Sequence, residues 1–320
     1  MLGVMGELIL RREAHARGVT DAEIRRLVRN GTWTRLASGV FVQSDQYAGA
    51  DDHARHALRA RAFIANAGPT SALSHVSAAV LHGLDVWQIP LDDVHLTRNA
   101  PSGARRTPGR VMHAALFREA DVVDRRGARV LSVARTITDV AATVPVEQAV
   151  VLADSALRAG LVAPVDLTRA VERMGSHPRI AHARRAVQLS SGCSDSAGES
   201  RSRVLFVREQ IPVPLTQVDV FSADGRWLAR VDFLWPEHGV IGEFDGRIKY
   251  RRDGVATTAA EDVVYREKLR EDALRHAGWT VVRWTWQDLG TRGAVAAKVR
   301  EAFARAARGS GPTGRYATKK

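Results

Sequence analysis

Trp227-Leu-Ala-Arg-Val-Asp-Phe-Leu234 and, after a short turn, Val240-Ile-Gly-Glu-Phe-Asp-Gly246 decide how this chain folds. Both runs are dense in β-branched and aromatic residues, the signature of neighbouring strands. Each also carries acid where a buried strand has no use for it. Asp232 sits among Val231, Phe233, Leu234 and Trp235, a setting in which an unpaired carboxylate is costly. Glu243 and Asp245 are two apart, hence on one face of their strand. Three carboxylates on adjacent strands require a counter-charge. A divalent cation supplies one, and hard oxygen ligands on a strand pair suit magnesium. Arginines such as Arg230, Arg266 or Arg270 supply another, as ion pairs. Two acids on one face with a third a short turn away favour the metal.

Outward from these strands the pattern is α/β. Glu199 to Gln210 reads as a helix with Val204, Leu205 and Val207 apolar, and Thr216 to Phe221 as a strand joined to the next through Ala223-Asp-Gly225, a tight-hairpin signal. A charged helix from Glu261 to His276 ends at Gly278. A further strand covers Trp279 to Trp286, and a last helix Ala294 to Arg308. Residues 309–320 read as a disordered tail. Upstream, the Ser/Gly-rich stretch from Gln188 to Gly198 breaks the composition and marks a domain boundary.

At the other end, Met5 to Arg17 reads as a helix, and Thr20-Asp-Ala-Glu23 matches a capping box that opens a second one. Ile24, Leu27 and Val28 face inward there, leaving Arg25, Arg26 and Arg29 on the open side. Trp33 to Leu36 and Val40 to Val42 form a hairpin with Arg35 on its wing. Helix, helix and hairpin make a winged helix-turn-helix pattern, whose short arginine-bearing helix suits a DNA major groove while Arg35 meets phosphate.

Between these ends the chain reads as mainly helical, with helices at His53 to Ala67, Ser74 to Leu81, Ser132 to Ala142, Val146 to Ala159 and Leu167 to Met174, and a β-rich patch from Val94 to Leu116. The pair His53 and His56 beside Asp51 and Asp52 reads as a solvated helix start rather than a metal site. His75 and His82, among alanines, read as packed or capping residues. Arg98, Arg105, Arg106 and Arg110 belong to a solvated loop.

Of the 320 residues, 47 are Lys or Arg and 35 Asp or Glu, a net charge of +12 spread along the whole chain. An excess of that size points to a polyanionic partner. The single cysteine, Cys193, excludes an internal disulfide framework and multi-cysteine zinc sites. No stretch approaches the roughly 18 uninterrupted apolar residues of a membrane helix. In the apolar first ten residues the arginines follow rather than precede, the reverse of a secretory signal. A cytoplasmic protein without membrane association is expected. The motifs G-x-x-x-x-G-K, G-x-G-x-x-G, G-x-S-x-G and H-E-x-x-H are absent.

Glu199-Ser-Arg-Ser-Arg203, Arg230-Val-Asp232-Phe, Gly242-Glu-Phe-Asp-Gly246 with Lys249-Tyr250, Arg266 to Leu269 and Gly278-Trp-Thr-Val-Val-Arg-Trp284 together resemble the restriction-endonuclease-like PD-(D/E)XK superfamily, in its branch close to very-short-patch repair endonucleases. The resemblance runs from Gly198 to about Leu289. It implies an α-β-β-β-α-β core, with Asp232 and Glu243 as the metal-binding pair, Glu199 as the acid of the first helix and Mg2+ as cofactor. The superfamily's lysine, two residues after the second acid, is Asp245 here. In the related branch a basic residue further on takes that place, which makes Lys249 the substitute. The N-terminal half resembles the AbiEi-type antitoxins, through Gly18 to Val42, Ser74 to Gly83 and Val133 to Asp139. That resemblance implies a DNA-binding regulator with an interaction or scaffold module, and a cognate toxin or other protein as partner.

The expected organisation is a winged helix-turn-helix over 1–45, a mainly helical antitoxin-like domain over 46–192, a restriction-endonuclease-like α/β domain over 193–308, and a tail over 309–320. The expected function is binding of double-stranded DNA through Arg25, Arg26, Arg29 and Arg35, with Mg2+-dependent phosphodiester cleavage at Glu199, Asp232, Glu243, Asp245 and Lys249. The alternative is a non-catalytic transcriptional regulator or antitoxin of a type IV toxin-antitoxin-like system, in which the nuclease fold serves only as a DNA-binding surface.

Overall fold

A computed structural model describes residues 7–246 and 258–318, with side chains described for all of these except 258–266. The chain divides into two compact units, Met1–Gln188 and Leu189–Lys320, each mixed α/β. Among the described residues no helix is long and apolar enough to cross a membrane.

The first unit opens with β1 (Ile9–Leu10) and α1 (Arg11–Ala16) where one helix from Met5 was expected; Met5 itself lies outside the described residues. The difference has a local cause. Ile9 and Leu10 pair with Phe41 and Val40, and Arg11 N donates to Gly39 O at 2.8 Å, so the apolar pair joins a β ladder before the helix begins. α2 (Asp21–Arg29) starts at the capping box as read: Thr20 Oγ1 accepts from Glu23 N, and Glu23 Oε2 accepts from Thr20 N at 2.8 Å. β2 (Trp33–Ala37) and β3 (Val40–Gln43) form the hairpin, and the small sheet has the order β1-β3-β2. Ala14, Ile24 and Phe41 are its buried centre, with Trp33 packed against them.

After α3 (Ser44–Gly49), α4 (Asp52–Ile64) is capped by Asp51 Oδ1, which accepts from Ala54 N at 2.7 Å. A six-stranded sheet follows, larger than the expected patch. It contains β4 (Ser71–Leu73), β5 (Val94–Arg98), β6 (Arg105–Thr107), β7 (Arg110–Ala114), β8 (Val122–Arg125) and β9 (Ala128–Leu131), in the order β6-β7-β5-β4-β9-β8. The β8–β9 hairpin turns on Arg126 and Gly127, both at positive φ (58° and 76°). That is a two-residue primed turn written without the Asn-Gly or Asp-Gly that announces it. α5 (His75–His82) is buried along its whole length. It lies between this sheet and a layer built from α6 (Val133–Ala141), α7 (Val146–Arg158) and α8 (Pro164–Glu172), with α9 (Ile180–Leu189) beyond. Total burial explains why α5 carries no polar stripe to read.

The second unit runs α10 (Ala197–Arg208), β10 (Leu215–Phe221), β11 (Trp227–Trp235), β12 (Val240–Asp245), α11 (Thr258–His276), β13 (Thr280–Thr285), α12 (Trp286–Gly290), α13 (Ala294–Ala306) and β14 (Arg315–Ala317). The sheet order is β13-β12-β11-β10-β14. β12 and β13 are parallel, joined through α11, and the other pairs are antiparallel. Both sheet faces are covered. Phe206 of α10 meets Phe233, Trp235 and Trp284 edge-on at 5.2 to 5.6 Å between ring centres, the favoured aromatic geometry. Against the other face Leu274 of α11 and Ala277 just beyond its end pack on Val218, Val231, Ile241 and Val281.

Two glycines set the closeness of this packing. A Cβ on Gly242 would stand within 3 Å of the Trp284 and Trp235 rings, and one on Gly198 within about 2 Å of the Phe244 ring. The expected disordered tail is in part a strand. Tyr316 pairs with Val220, Thr313 N donates to Ala277 O at 3.0 Å, and β14 occupies the otherwise open edge of β10.

Candidate functional site

α2 presents Arg25, Arg26 and Arg29 exposed, because Ile24 and Val28 take the inward face. Arg25, Arg29 and Arg35 line one groove of about 300 Å3 together with Arg11, Asp21, Ser38 and Gly39. Arg26 lies outside its lining. Arg11 is already neutralised, since its guanidinium grips Asp21 and holds that carboxyl below its usual range. Arg25, Arg26, Arg29 and Arg35 make no ion pair among the described residues. The face between α2 and the hairpin is therefore strongly cationic.

In the second unit the strand pair brings acids together as expected from the sequence, but with uneven company. Asp232, Glu243, Asp245 and Gly246 line one cleft of about 180 Å3, with Arg230, Glu267, Arg270 and Arg283 around them. Glu199 joins from α10. It is buried, and its oxygens accept from Asp195 N (2.9 Å), Ser196 Oγ (2.8 Å) and Gln217 Nε2 (2.7 Å). Gln217 also reaches Asp232 Oδ1 at 3.3 Å and accepts from Arg230 Nε at 2.8 Å. One amide thus ties both carboxylates to a guanidinium. Gln217 holds φ +53° inside β10 and has no partner in the β11 register; no sequence signal marked it.

Among the described residues Asp232 has no guanidinium of its own. Phe244 N donates to its Oδ2 at 2.9 Å. Burial, then the Glu199 charge and, more weakly, Glu243, push its carboxyl up to about 7 against the pull of those hydrogen bonds. Glu243 is treated differently. Arg270 Nη2 donates to its Oε1 at 3.0 Å, and Arg283 Nη2 stands 2.7 Å from its Oε2, off the hydrogen-bond direction. Arg283 is the residue paired with Glu243 in the β12–β13 register, and it also meets Glu267 and Glu271. Of the arginines named from the sequence, Arg270 pairs with Glu243 and Arg230 binds Gln217. The side chain of Arg266, like Lys249 and Tyr250, lies outside the described residues. Asp245 also lines the cleft.

The remaining sequence-marked groups take structural roles. His56 is buried, with Nδ1 bonded to Leu91 O and Nε2 to Ser77 Oγ, both at 2.8 Å, so it has no nitrogen left for a metal. His82 bonds Leu131 O. Arg106 pairs with Asp93, Arg98 reaches the carbonyls of Ser102 and Gly103, and Arg110 lies over the Phe63 ring. His75, read as packed or capping, instead meets two other histidines.

No known family profile matches the chain. It is similar to two proteins of Mycobacterium tuberculosis, the uncharacterized protein MT2308 of strain CDC 1551 / Oshkosh and the uncharacterized protein Rv2248 of strain ATCC 25618 / H37Rv. Each is 27% identical over 147 residues, 46% of this chain, and the match spans about half of the relatives' own length. Among solved structures, that of the RV2827C protein from Mycobacterium tuberculosis aligns over 62% of this chain and 75% of its own, at 14% identity and a TM-score of 0.37.

Proposed function

We propose that the chain binds double-stranded DNA through the α2 and hairpin face of its first unit. The observation that carries this reading is the set of four exposed arginines, Arg25, Arg26, Arg29 and Arg35, that make no ion pair among the described residues, three of them around one groove. The succession of two helices and a hairpin supports a winged helix-turn-helix, in which α2 enters the major groove and Arg35 reaches phosphate. Cationic side chains without internal partners release condensed counterions when they meet a duplex, which is the main source of affinity. Replacing all four by alanine should weaken binding to a duplex at least about a hundredfold at low salt, read by fluorescence anisotropy. Unchanged affinity would place DNA elsewhere or nowhere on this chain.

Within that reading the second unit serves as a further DNA-facing surface, and the chain acts as a regulator or antitoxin. The arginine clamp on Glu243 favours this version, because the carboxylate is already neutralised by Arg270 and Arg283. A second version is a magnesium-dependent nuclease. It is supported by the α-β-β-β-α-β succession from α10 to β13 and by Asp232, a half-buried acid with no guanidinium partner among the described residues. Asp232 fits a hard cation. Glu243 fits one only after its arginines turn away. Together they would hold the ion, with Glu199 behind Asp232, and the ion supplies Lewis acidity and an activated water. A plasmid-nicking assay separates the two versions. A nuclease loses nicking in Asp232→Ala and Glu243→Ala while DNA binding persists, and slows in Lys249→Ala. A wild-type protein that binds plasmid without nicking it in Mg2+ or Mn2+ is the regulator.

A further inference from the structure

The first unit carries a cluster that neither resemblance nor charge accounts for. β5 and β7 run parallel with His95 opposite Val111 and Thr97 opposite His113, so His95 and His113 project from one sheet face, two residues out of step. His75 follows β4, whose Leu73 pairs with Leu96 of β5, and Ser74 N donates to His95 O at 3.1 Å. The ligand nitrogens of the three rings lie within 4.8 Å of one another. His95 Nδ1 and His113 Nε2 are 3.0 Å apart, and the His75 ring stacks on His113 with centres 3.8 Å apart and planes 14° apart, so one of these two rings must turn before both share an ion. His75 reaches this place at φ +48°, a left-handed backbone that side-chain-bearing residues rarely adopt. Ser74 Oγ bonds its Nδ1 at 3.0 Å, which leaves Nε2 for a ligand.

Burial lowers the pKa of all three imidazoles, that of His95 to about 4. They are neutral at physiological pH, the form in which imidazole binds a metal. His75 and His113 also line a cleft of about 660 Å3 with Thr97, Asp139 and Arg135. Thr97 is only 1% exposed, and its Oγ1 has no hydrogen-bond partner among the described residues. Nor has Asp139 Oδ2 on the same wall. Two orphaned oxygens in the lining of the cleft that His75 and His113 share mark a place suited to a group with its own polar atoms.

We propose that His75, His95 and His113 bind one divalent transition-metal ion of the zinc class, with its fourth position open to the cleft. Three nitrogen ligands without an oxygen cage suit zinc and disfavour magnesium. This site is separate from the carboxylate cleft, and its existence does not depend on DNA binding or cleavage.

The full-length protein, stripped with a chelator and reloaded with Zn2+, should retain one ion per chain. Its X-ray absorption spectrum should show three imidazoles at about 2.0–2.1 Å. His95→Gln and His113→Gln should each weaken zinc binding at least about tenfold, while His276→Gln, at an exposed site, should not. Failure to retain zinc at micromolar free metal, or a shell with no more than one imidazole, would overturn the site. So would equal binding by the wild type and the two cluster variants. Should those variants fail to fold, the wild-type spectrum decides alone.

Discussion

Asp232 stands with its carboxyl at about 7, because burial penalises the charge and Glu199 repels it, against partial support from Phe244 N and Gln217. The sign of the pH effect follows. In the unfolded chain the group ionises near its ordinary 3.8, so between about 4 and about 7 the folded state holds the extra proton. Stability therefore falls as pH rises through that window, by no more than about 4 kcal/mol. Asp232→Asn, which needs no proton, should lose this decline. Urea titrations at pH 5 and pH 8 should show the variant gaining relative to wild type at the higher pH; parallel profiles would mean that Asp232 is ionised throughout. Glu243 sits one strand away with Arg270 and Arg283 already on it. Neighbouring acids with such different partners were legible as acids from the sequence, but not as different. Which one keeps an arginine depends on the β12–β13 register, which sets Arg283 against Glu243. It also depends on Gln217, whose amide reaches Glu199 and Asp232 from β10.

The approach of α10 to β12 is set by Gly198, where a Cβ would collide with the Phe244 ring. Gly198→Ala improves helix propensity yet must push that ring off the helix, and Phe244 N is the group that holds Asp232. A destabilisation of about 1–3 kcal/mol is expected, read from the urea midpoint; a stabilised variant would show that the helix moves freely. Elements with a polar signature were readable at this scale. The capping box at Thr20 and Glu23 opens α2 where expected, and the β-branched and aromatic run from Trp227 to Leu234 gives β11. Elements whose cause is distant were not. β1 exists because Val40 and Phe41 offer Ile9 and Leu10 a partner. β14 exists because β10 has a free edge. The β8–β9 hairpin turns on Arg126-Gly127, a weaker cue than Asn-Gly, and the histidine cluster joins residues 18 to 38 positions apart through the β5–β7 pairing and the start of α5.

For the molecule as a whole, the net charge of +12 acquires a location only through the fold. Many arginines are paired internally, among them Arg11, Arg106, Arg118, Arg129, Arg135 and Arg158. Those on α2 and Arg35 make no ion pair among the described residues. Each phosphate contact adds about 0.9 to the slope of log affinity against log salt. The decisive measurement is that slope for a duplex, determined for the wild type and for the Arg25, Arg26, Arg29 and Arg35 alanine quadruple variant. DNA binding by this face predicts a steep wild-type slope and a variant slope shallower by about 3 to 4. Equal slopes for the two proteins would contradict it.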